Sequence, residues 1–196
     1  LKKLRELKDR MQASSVPRQL SVAAAMRRHG VTHFQCTPSL LRMVLAEPGG
    51  AEALRSLRVL LVGGEALPED LAAQLAALGG PEVHNMYGPT ETTVWSTLAR
   101  IGAGDPVTVG RPIANTRCYV LAADGQPQPV GVEGELWIGG LGVALGYHAR
   151  EELTAARFRA DPFAGMRFAG EAEPRIYATG DRARVRPDRE ADVDGD

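Results

Sequence analysis

Lysine is confined to Lys2, Lys3 and Lys8, and the other twenty of the 23 Lys+Arg residues are arginines spread along the chain. Chemistry that needs a lysine ammonium in the body of the fold is therefore excluded from residues 9–196. Cysteine is as scarce. Cys36 and Cys118 stand far apart with no CxxC spacing, which excludes a disulfide framework and a cysteine zinc site and fits a reducing cytoplasm. No apolar run approaches the roughly 20 residues of a membrane-spanning helix, and the opening LKKLRELKDR is charged where a signal peptide is apolar. The expectation is a cytoplasmic chain, neither inserted in a membrane nor exported. Net charge is lacking too: 23 Lys+Arg against 24 Asp+Glu leaves −1, so no basic field draws in nucleic acid or an anionic membrane. Repeats and low-complexity segments are absent. What remains is 196 residues, 44% hydrophobic, enough to bury a sizeable core in one domain or two small ones.

Leu1, Leu4, Leu7 and Met11 recur at helical spacing, so residues 1–20 read as a charged amphipathic helix of no assigned role. Residues 21–29 read as a helix stopped by Gly30, 31–36 (VTHFQC) as a strand, and 39–46 as a helix opened by Ser39 after Pro38. The apolar run in 58–62 is of the kind buried on both faces of a parallel sheet. A helix over 68–78, with Pro68 in its first turn and Gly79-Gly80 at its end, leads to a third strand at 84–87. Residues 21–100 thus predict an α/β unit with right-handed crossovers. Over 101–187 the texture changes to short β-prone runs, VTVG, TRCYVL and GELWIGG, with turn signals at Ala123-Asp124-Gly125 and Pro127-Gln128-Pro129. These predict a small antiparallel sheet or distorted barrel. Residues 150–159 return to helix, RIYATGD reads as a strand running into a loop, and the acidic end, 188–196, is expected to fray. The fold class is α/β: a partial parallel sheet with helices, followed by a small β-rich unit.

In HNMYGPTETT, residues 84–93, Gly88 and Pro89 interrupt a strand, and Thr90, Glu91, Thr92 and Thr93 place hydroxyls and a carboxylate at its carboxyl end. Ligands gather there in open α/β sheets. On composition alone the same residues make an ordinary polar turn, and Asp181 after Gly180 is likewise a turn aspartate. Gly139-Gly140-Leu141-Gly142 is not a phosphate cradle, because no GxGxxG or GxxxxGK[ST] occurs and no helix start follows. Gly30 breaks the helix that would align His29 and His33 with Cys36 around a metal. Asp192 to Asp196 stop short of the closing glutamate of a calcium loop.

The motifs gain specificity from their order. Asn85-Met86-Tyr87-Gly88-Pro89-Thr90-Glu91 resembles the N-x-Y-G-P-T-E motif of adenylate-forming enzymes, in the version of nonribosomal peptide synthetase adenylation domains. LRVLLVGGEALP (57–68) looks like the strand and loop that precede it, GELWIGGLGVALGY (134–147) is similar to GELxIxGxGVARGY, and YATGD (177–181) to Y-R-T-G-D. The likeness extends back to VTHFQCTPSLLRM and covers about residues 22–187.

This resemblance implies an internal piece of an amino-acid adenylation domain. Such a domain uses ATP and Mg²⁺ to turn a small amino acid into aminoacyl-AMP. The product is loaded onto the phosphopantetheine of a carrier domain, beside a condensation domain of the same synthetase. A carboxylate acylates poorly at neutral pH; joining it to the α-phosphate expels pyrophosphate and spreads charge over phosphate oxygens that need stabilisation. The implied catalytic residues are Thr90, on the α-phosphate, and Glu91, holding Mg²⁺. Around the nucleotide the resemblance implies Gly64, Asn85 at the adenine edge, Tyr87 as a flat wall, Gly88, and Asp181 accepting both ribose hydroxyls. The amino-acid pocket would be Gln35, Leu61, Gly63, Met86, Val94 and Trp95, whose indole leaves room for little more than a hydrogen or a methyl. That set resembles the pattern of glycine-activating domains.

Three positions depart from the family pattern: Leu145 stands for arginine, Ala178 for arginine or lysine, and Arg182 for a hydrophobic residue. The family's two lysine-bearing pieces would fall before residue 1 and after residue 196, so the chain alone is not expected to adenylate. An acyl-CoA synthetase-like ligase and a non-catalytic remnant are the alternative readings.

Overall fold

The computed structural model describes residues 21–165, 168–188 and 190–193; the helix read over 1–20 lies outside them. Ser21 caps α1 (Val22–His29) by accepting from the Ala24 N–H, and Gly30 ends it. After β1 (His33–Cys36) comes α2 (Pro38–Ala46). Its cap is Thr37 and not Ser39: Pro38 fills the first turn, where no backbone donor is needed, and Thr37 Oγ1 accepts from Leu40 N at 3.2 Å. Ser39 instead donates to Glu65 Oε2 at 2.5 Å. Thr37→Ala is expected to lower stability by about 1 kcal/mol, read as a fall in the urea midpoint at unchanged slope.

A short helix with no clear sequence signal, α3 (Gly50–Arg55), precedes β2 (Val59–Gly63), α4 (Glu69–Leu78) and β3 (Glu82–Tyr87). Strands β1, β2 and β3 are parallel, as the strand–helix alternation predicts. Cys36, Leu60, Val62 and Val83 enter one core with Leu41 and Val44 of α2, Leu54 of α3, and Leu71 and Leu75 of α4. Each fully buried leucine or valine contributes roughly 1.5–3 kcal/mol of transfer free energy. The alternate strand residues face the other way, and there Val59 and Leu61 keep partial exposure. Among the described residues β2 is therefore covered on one face, not on both.

The sheet continues past β3 with antiparallel β4 (Thr97–Arg100) and β5 (Arg111–Pro112), in the order β1-β2-β3-β4-β5. The VTVG run forms no strand; Val107 turns into the α/β core and Gly110 makes only an isolated bridge to Ala191.

The second sheet is antiparallel. It runs β10-β9-β7-β6, from β6 (Thr116–Leu121), β7 (Glu133–Gly140), β9 (Arg175–Val185) and β10 (Ala191–Val193), with β8 (Phe158–Ala160) beside β9 and α5 (Glu151–Arg157) before β8. Among the described residues no strand closes it into a barrel. The expectation that the acidic end frays is corrected for Ala191–Val193, which pair with Ala183–Val185. Ala191 is buried, and the neighbouring Glu190 accepts from Thr108 Oγ1 at 2.8 Å, so this end gains contacts that its local sequence does not advertise. A small core of Val120, Leu136, Ile138 and Ala183 takes Tyr87 of the first sheet against it, which joins the two sheets. No helix of the described residues is long and apolar enough to cross a membrane.

Candidate active site

Tyr87 ends β3, and Glu91 lies in the 3₁₀ turn Thr90–Thr92 that follows. Across from this segment runs the part of β9 that carries Tyr177 and Asp181. Between Glu135 and Trp137 the β7–β9 register slips: Glu135 faces Arg182 and Trp137 faces Ala178, so two steps of β7 match four of β9. Thr179, Gly180 and Asp181 bulge out, as extra residues in a ladder do. The bulge is pinned from below. Thr179 Oγ1 donates to Leu136 O at 2.8 Å and accepts from Asp181 N at 3.0 Å, while Gly180 N donates to Glu135 Oε1 at 3.1 Å.

The two segments are linked at both ends by a phenol and a carboxylate. At one end Tyr87 OH donates to Asp181 Oδ2. At the other, Tyr147 OH donates to Glu91 Oε1 at 2.6 Å, with the Tyr177 hydroxyl 3.3 Å from it. Tyr177 and Asp181 are four residues apart, at most about 13 Å of extended strand. Glu91 and Asp181, ninety positions apart in sequence, therefore lie toward the two ends of one strip. Burial pushes the Tyr87 phenol well above its ordinary range, and the bond to Asp181 adds to the shift. Desolvation alone would raise the Glu91 carboxyl. Hydrogen bonds from Tyr147, its own backbone N–H and Tyr177, with the charge of Arg157, outweigh that and hold it below the usual carboxylate range. Glu91 is thus an ionised hard oxygen donor. Among the described residues no group of three or more His, Cys, Asp and Glu could cage a metal. A single carboxylate fits a Mg²⁺ ion, which takes most of its ligands from phosphates and water.

Four of the proposed pocket residues, Gln35, Leu61, Gly63 and Met86, share the open face of the first sheet. Gln35 pairs in register with Leu61, and Gly63 with Met86; neighbours across a ladder point the same way. Thr93 and Val94 adopt left-handed φ of 64° and 71°, uncommon for β-branched residues, and turn the chain so that Trp95 folds onto β2. A Cβ at position 63 would stand 2.7 Å from Trp95 Cζ3 and 2.4 Å from Met86 O, so the indole lies where only glycine leaves space. Val94 itself is 53% exposed.

The remaining predicted residues do not all lie on this face: Asn85 pairs in register with the core residue Val62 and is on the covered side. Gly64 lies just past β2, exposed and left-handed at φ +88°, and Gly88 and the exposed Thr90 flank Pro89. Asn85 is buried with its Nδ2 donating to Thr108 O at 2.8 Å, which commits one amide hydrogen to the connection between β4 and β5. Tyr147, Tyr177 and Arg157 are absent from the residues singled out in the sequence. Both tyrosines nonetheless sit in quoted motifs, at the end of GELWIGGLGVALGY and the start of YATGD.

Known proteins resemble this chain in sequence and fold. The AMP-binding enzyme family matches residues 11–148. Phosphinothricin tripeptide synthetase PhsB of Streptomyces viridochromogenes is 46% identical over 169 residues, which is 85% of this chain and 14% of that protein. The N-terminal subdomain of Klebsiella oxytoca NpsA in complex with 3-hydroxyanthranilyl-AMSN superposes with a TM-score of 0.78 at 30% identity, over 92% of this chain and 43% of that one. AB3403, a four-domain nonribosomal peptide synthetase bound to AMP and glycine, superposes with a TM-score of 0.74 at 38% identity, over 91% of this chain and 13% of that one. The chain spans less than half of each of these proteins. It belongs to the AMP-binding enzyme family, as part of an adenylation domain of the nonribosomal peptide synthetase kind.

Proposed function

We propose that this chain supplies the adenosine side and part of the amino-acid pocket of a domain that activates glycine with ATP. The strip between Tyr87–Glu91 and Tyr177–Asp181 carries this reading, because a carboxylate lies toward each of its ends, as a nucleotide held by its ribose and by its phosphates would need. Asp181 accepts the ribose hydroxyls, its two oxygens matching two donors. Tyr87 and Gly64 wall the adenine with Gly88 beside them, and Asn85 reads its edge with the remaining hydrogen and oxygen of its amide. Thr90 contacts the α-phosphate, and Glu91 holds the Mg²⁺ that accompanies ATP. When bound, the ion offsets phosphate charge as pyrophosphate leaves. The amino-acid carboxylate adds to the α-phosphorus, and the aminoacyl group then passes to a phosphopantetheine thiol of a carrier domain, with release of AMP and the thiol proton, beside a condensation domain, in the cytoplasm.

Glycine is the proposed substrate because Trp95 occupies the volume next to Gly63, with Leu61, Met86, Gln35 and Val94 around it. The joint binding of AMP and glycine by AB3403, a protein of this fold, supports the assignment. In the chain joined to the remainder of its adenylation domain, ATP–pyrophosphate exchange should be fastest with glycine and at least about tenfold slower with alanine, the usual discrimination for one methyl group. A preference for leucine would end the glycine assignment. Exchange driven equally by acids without an amine would point to the acyl-CoA synthetase type. No exchange, with no calorimetric heat from ATP and Mg²⁺, would leave a non-catalytic remnant.

A further inference from the structure

Glu91 is gripped by a segment that its glycine content marks only as scaffolding. A Cβ at Gly142 would come 2.7 Å from Thr92 O, so a side chain there would push the glycine-rich segment off the Glu91 turn. Thr93 Oγ1 donates to Gly142 O at 2.7 Å, and Ala144 N donates to Glu91 O at 2.8 Å. The same segment ends at Tyr147, whose backbone N–H donates to Thr154 Oγ1 of α5 at 2.9 Å. From that fixed point the phenol reaches Glu91 Oε1 at 2.6 Å, with Tyr177 3.3 Å behind. Phe158, 4% exposed, wedges both rings, with centroids 5.4 Å from Tyr147 and 4.9 Å from Tyr177. Two hydroxyls from separate elements are thereby aimed at one carboxylate.

We propose that Tyr147, backed by Tyr177, is the positioning residue for Glu91, and that the glycine-rich segment serves to present it. The inference rests on the reading of Glu91 as the carboxylate on the Mg²⁺ side of the site. A glutamate loses rotamer freedom when it takes a ligand, and a phenol that already fixes it removes much of that loss. The donors around Glu91, which are Tyr147, Tyr177 and its own backbone N–H, do not use up the roughly four lone pairs of a carboxylate, so one is left for a cation. Partners that orient a metal-binding side chain typically contribute about 10–100-fold in metal affinity.

The test uses the chain joined to the remainder of its adenylation domain. Calorimetry with Mg²⁺ and a non-hydrolysable ATP analogue gives binding, and pyrophosphate exchange across a Mg²⁺ series gives its kinetic counterpart. Tyr147→Phe keeps the ring against Phe158 and is expected to raise half-saturating Mg²⁺ about tenfold, with ligand-free Tm and adenosine affinity nearly unchanged. Tyr177→Phe should give a smaller rise. Tyr119→Phe, a phenol bonded to Asp161 at 3.1 Å and outside the site, should give none. If Glu91→Gln weakens Mg²⁺ binding while both active-site phenylalanine variants titrate like wild type, the positioning role is overturned and the Glu91 reading survives. If Glu91→Gln also titrates like wild type, that reading falls and takes the inference with it. A Tyr147→Phe domain that loses Tm and maximal rate at an unchanged Mg²⁺ midpoint would make the phenol merely structural, against the proposal.

Discussion

Arg117→Met is expected to lower folding stability by about 3–5 kcal/mol, the cost of removing one partner from a buried ion pair. Asp161 is 0% exposed, Glu171 5% and Arg117 15%. The guanidinium Nε donates to Asp161 Oδ2 at 3.0 Å, Nη1 to Glu171 Oε2 at 3.2 Å and Nη2 to Glu171 Oε1, while its central carbon lies 4.5 Å from the Phe168 ring centroid. Both carboxylates are tied into the connection between β8 and β9. Asp161 Oδ1 accepts from Phe163 N at 2.9 Å, and Glu171 Oε2 accepts from Phe168 N at 3.0 Å. Arg117 is therefore the cation that fastens this connection to β6. Methionine keeps the length and the apolar contact but withdraws the Arg117 guanidinium from two desolvated anions, which is dearer than losing the pair altogether. Adding Asp161→Asn and Glu171→Gln to the methionine variant should recover part of the loss. Urea denaturation of the chain followed by circular dichroism reads both. A single-variant loss under about 1 kcal/mol, the scale of an exposed ion pair, would mean that water reaches the cluster.

The sequence makes the chemistry-bearing segments visible and leaves their mutual grip hidden. Strand β2 stands out as an apolar run, and α4 is marked by Pro68 and Gly79, because these signals are local. The parallel order follows from alternation of strand and helix. Strand β4 carries no such signal: Thr97, Leu98, Ala99 and Arg100 are too few and too mixed to stand out as a strand, and the strand exists because β3 has an edge for it to join. Strand β10 depends on Val185 and Gly110, which are near Ala191 only after folding. Chain separation likewise hides the Tyr147–Glu91 bond, which spans 56 positions, and the Tyr87–Asp181 bond, which spans 94. Nothing local says that Asn85 gives an amide hydrogen to Thr108, or that Thr93 and Val94 turn left-handed to lay Trp95 on Gly63. Strained β-branched residues of this sort persist where surrounding contacts over-determine them, as the Ser96 N to Tyr87 O bond of 2.9 Å does here.

Asp181→Ala should weaken ATP binding in the assembled adenylation domain by about a hundredfold or more. A hydrogen bond to a charged acceptor contributes roughly 1.5–3 kcal/mol, and two ribose hydroxyls bring two of them. The variant also strips the half-buried Tyr87 hydroxyl of its acceptor, so part of any loss belongs to the joint between the sheets and not to the nucleotide. The two contributions separate when the ligand is changed instead of the protein. Wild type should bind 2′,3′-dideoxy-ATP far more weakly than ATP, whereas Asp181→Ala should bind the two alike, because a missing acceptor cannot discriminate between them. Tyr87→Phe keeps the ring and both carboxylate oxygens, and should preserve the discrimination even if overall affinity falls. Calorimetry with Mg²⁺ present supplies all six affinities. An alanine variant that still distinguished the two nucleotides would move the ribose away from β9, and the Tyr87–Asp181 bond would then serve only to fasten one sheet to the other.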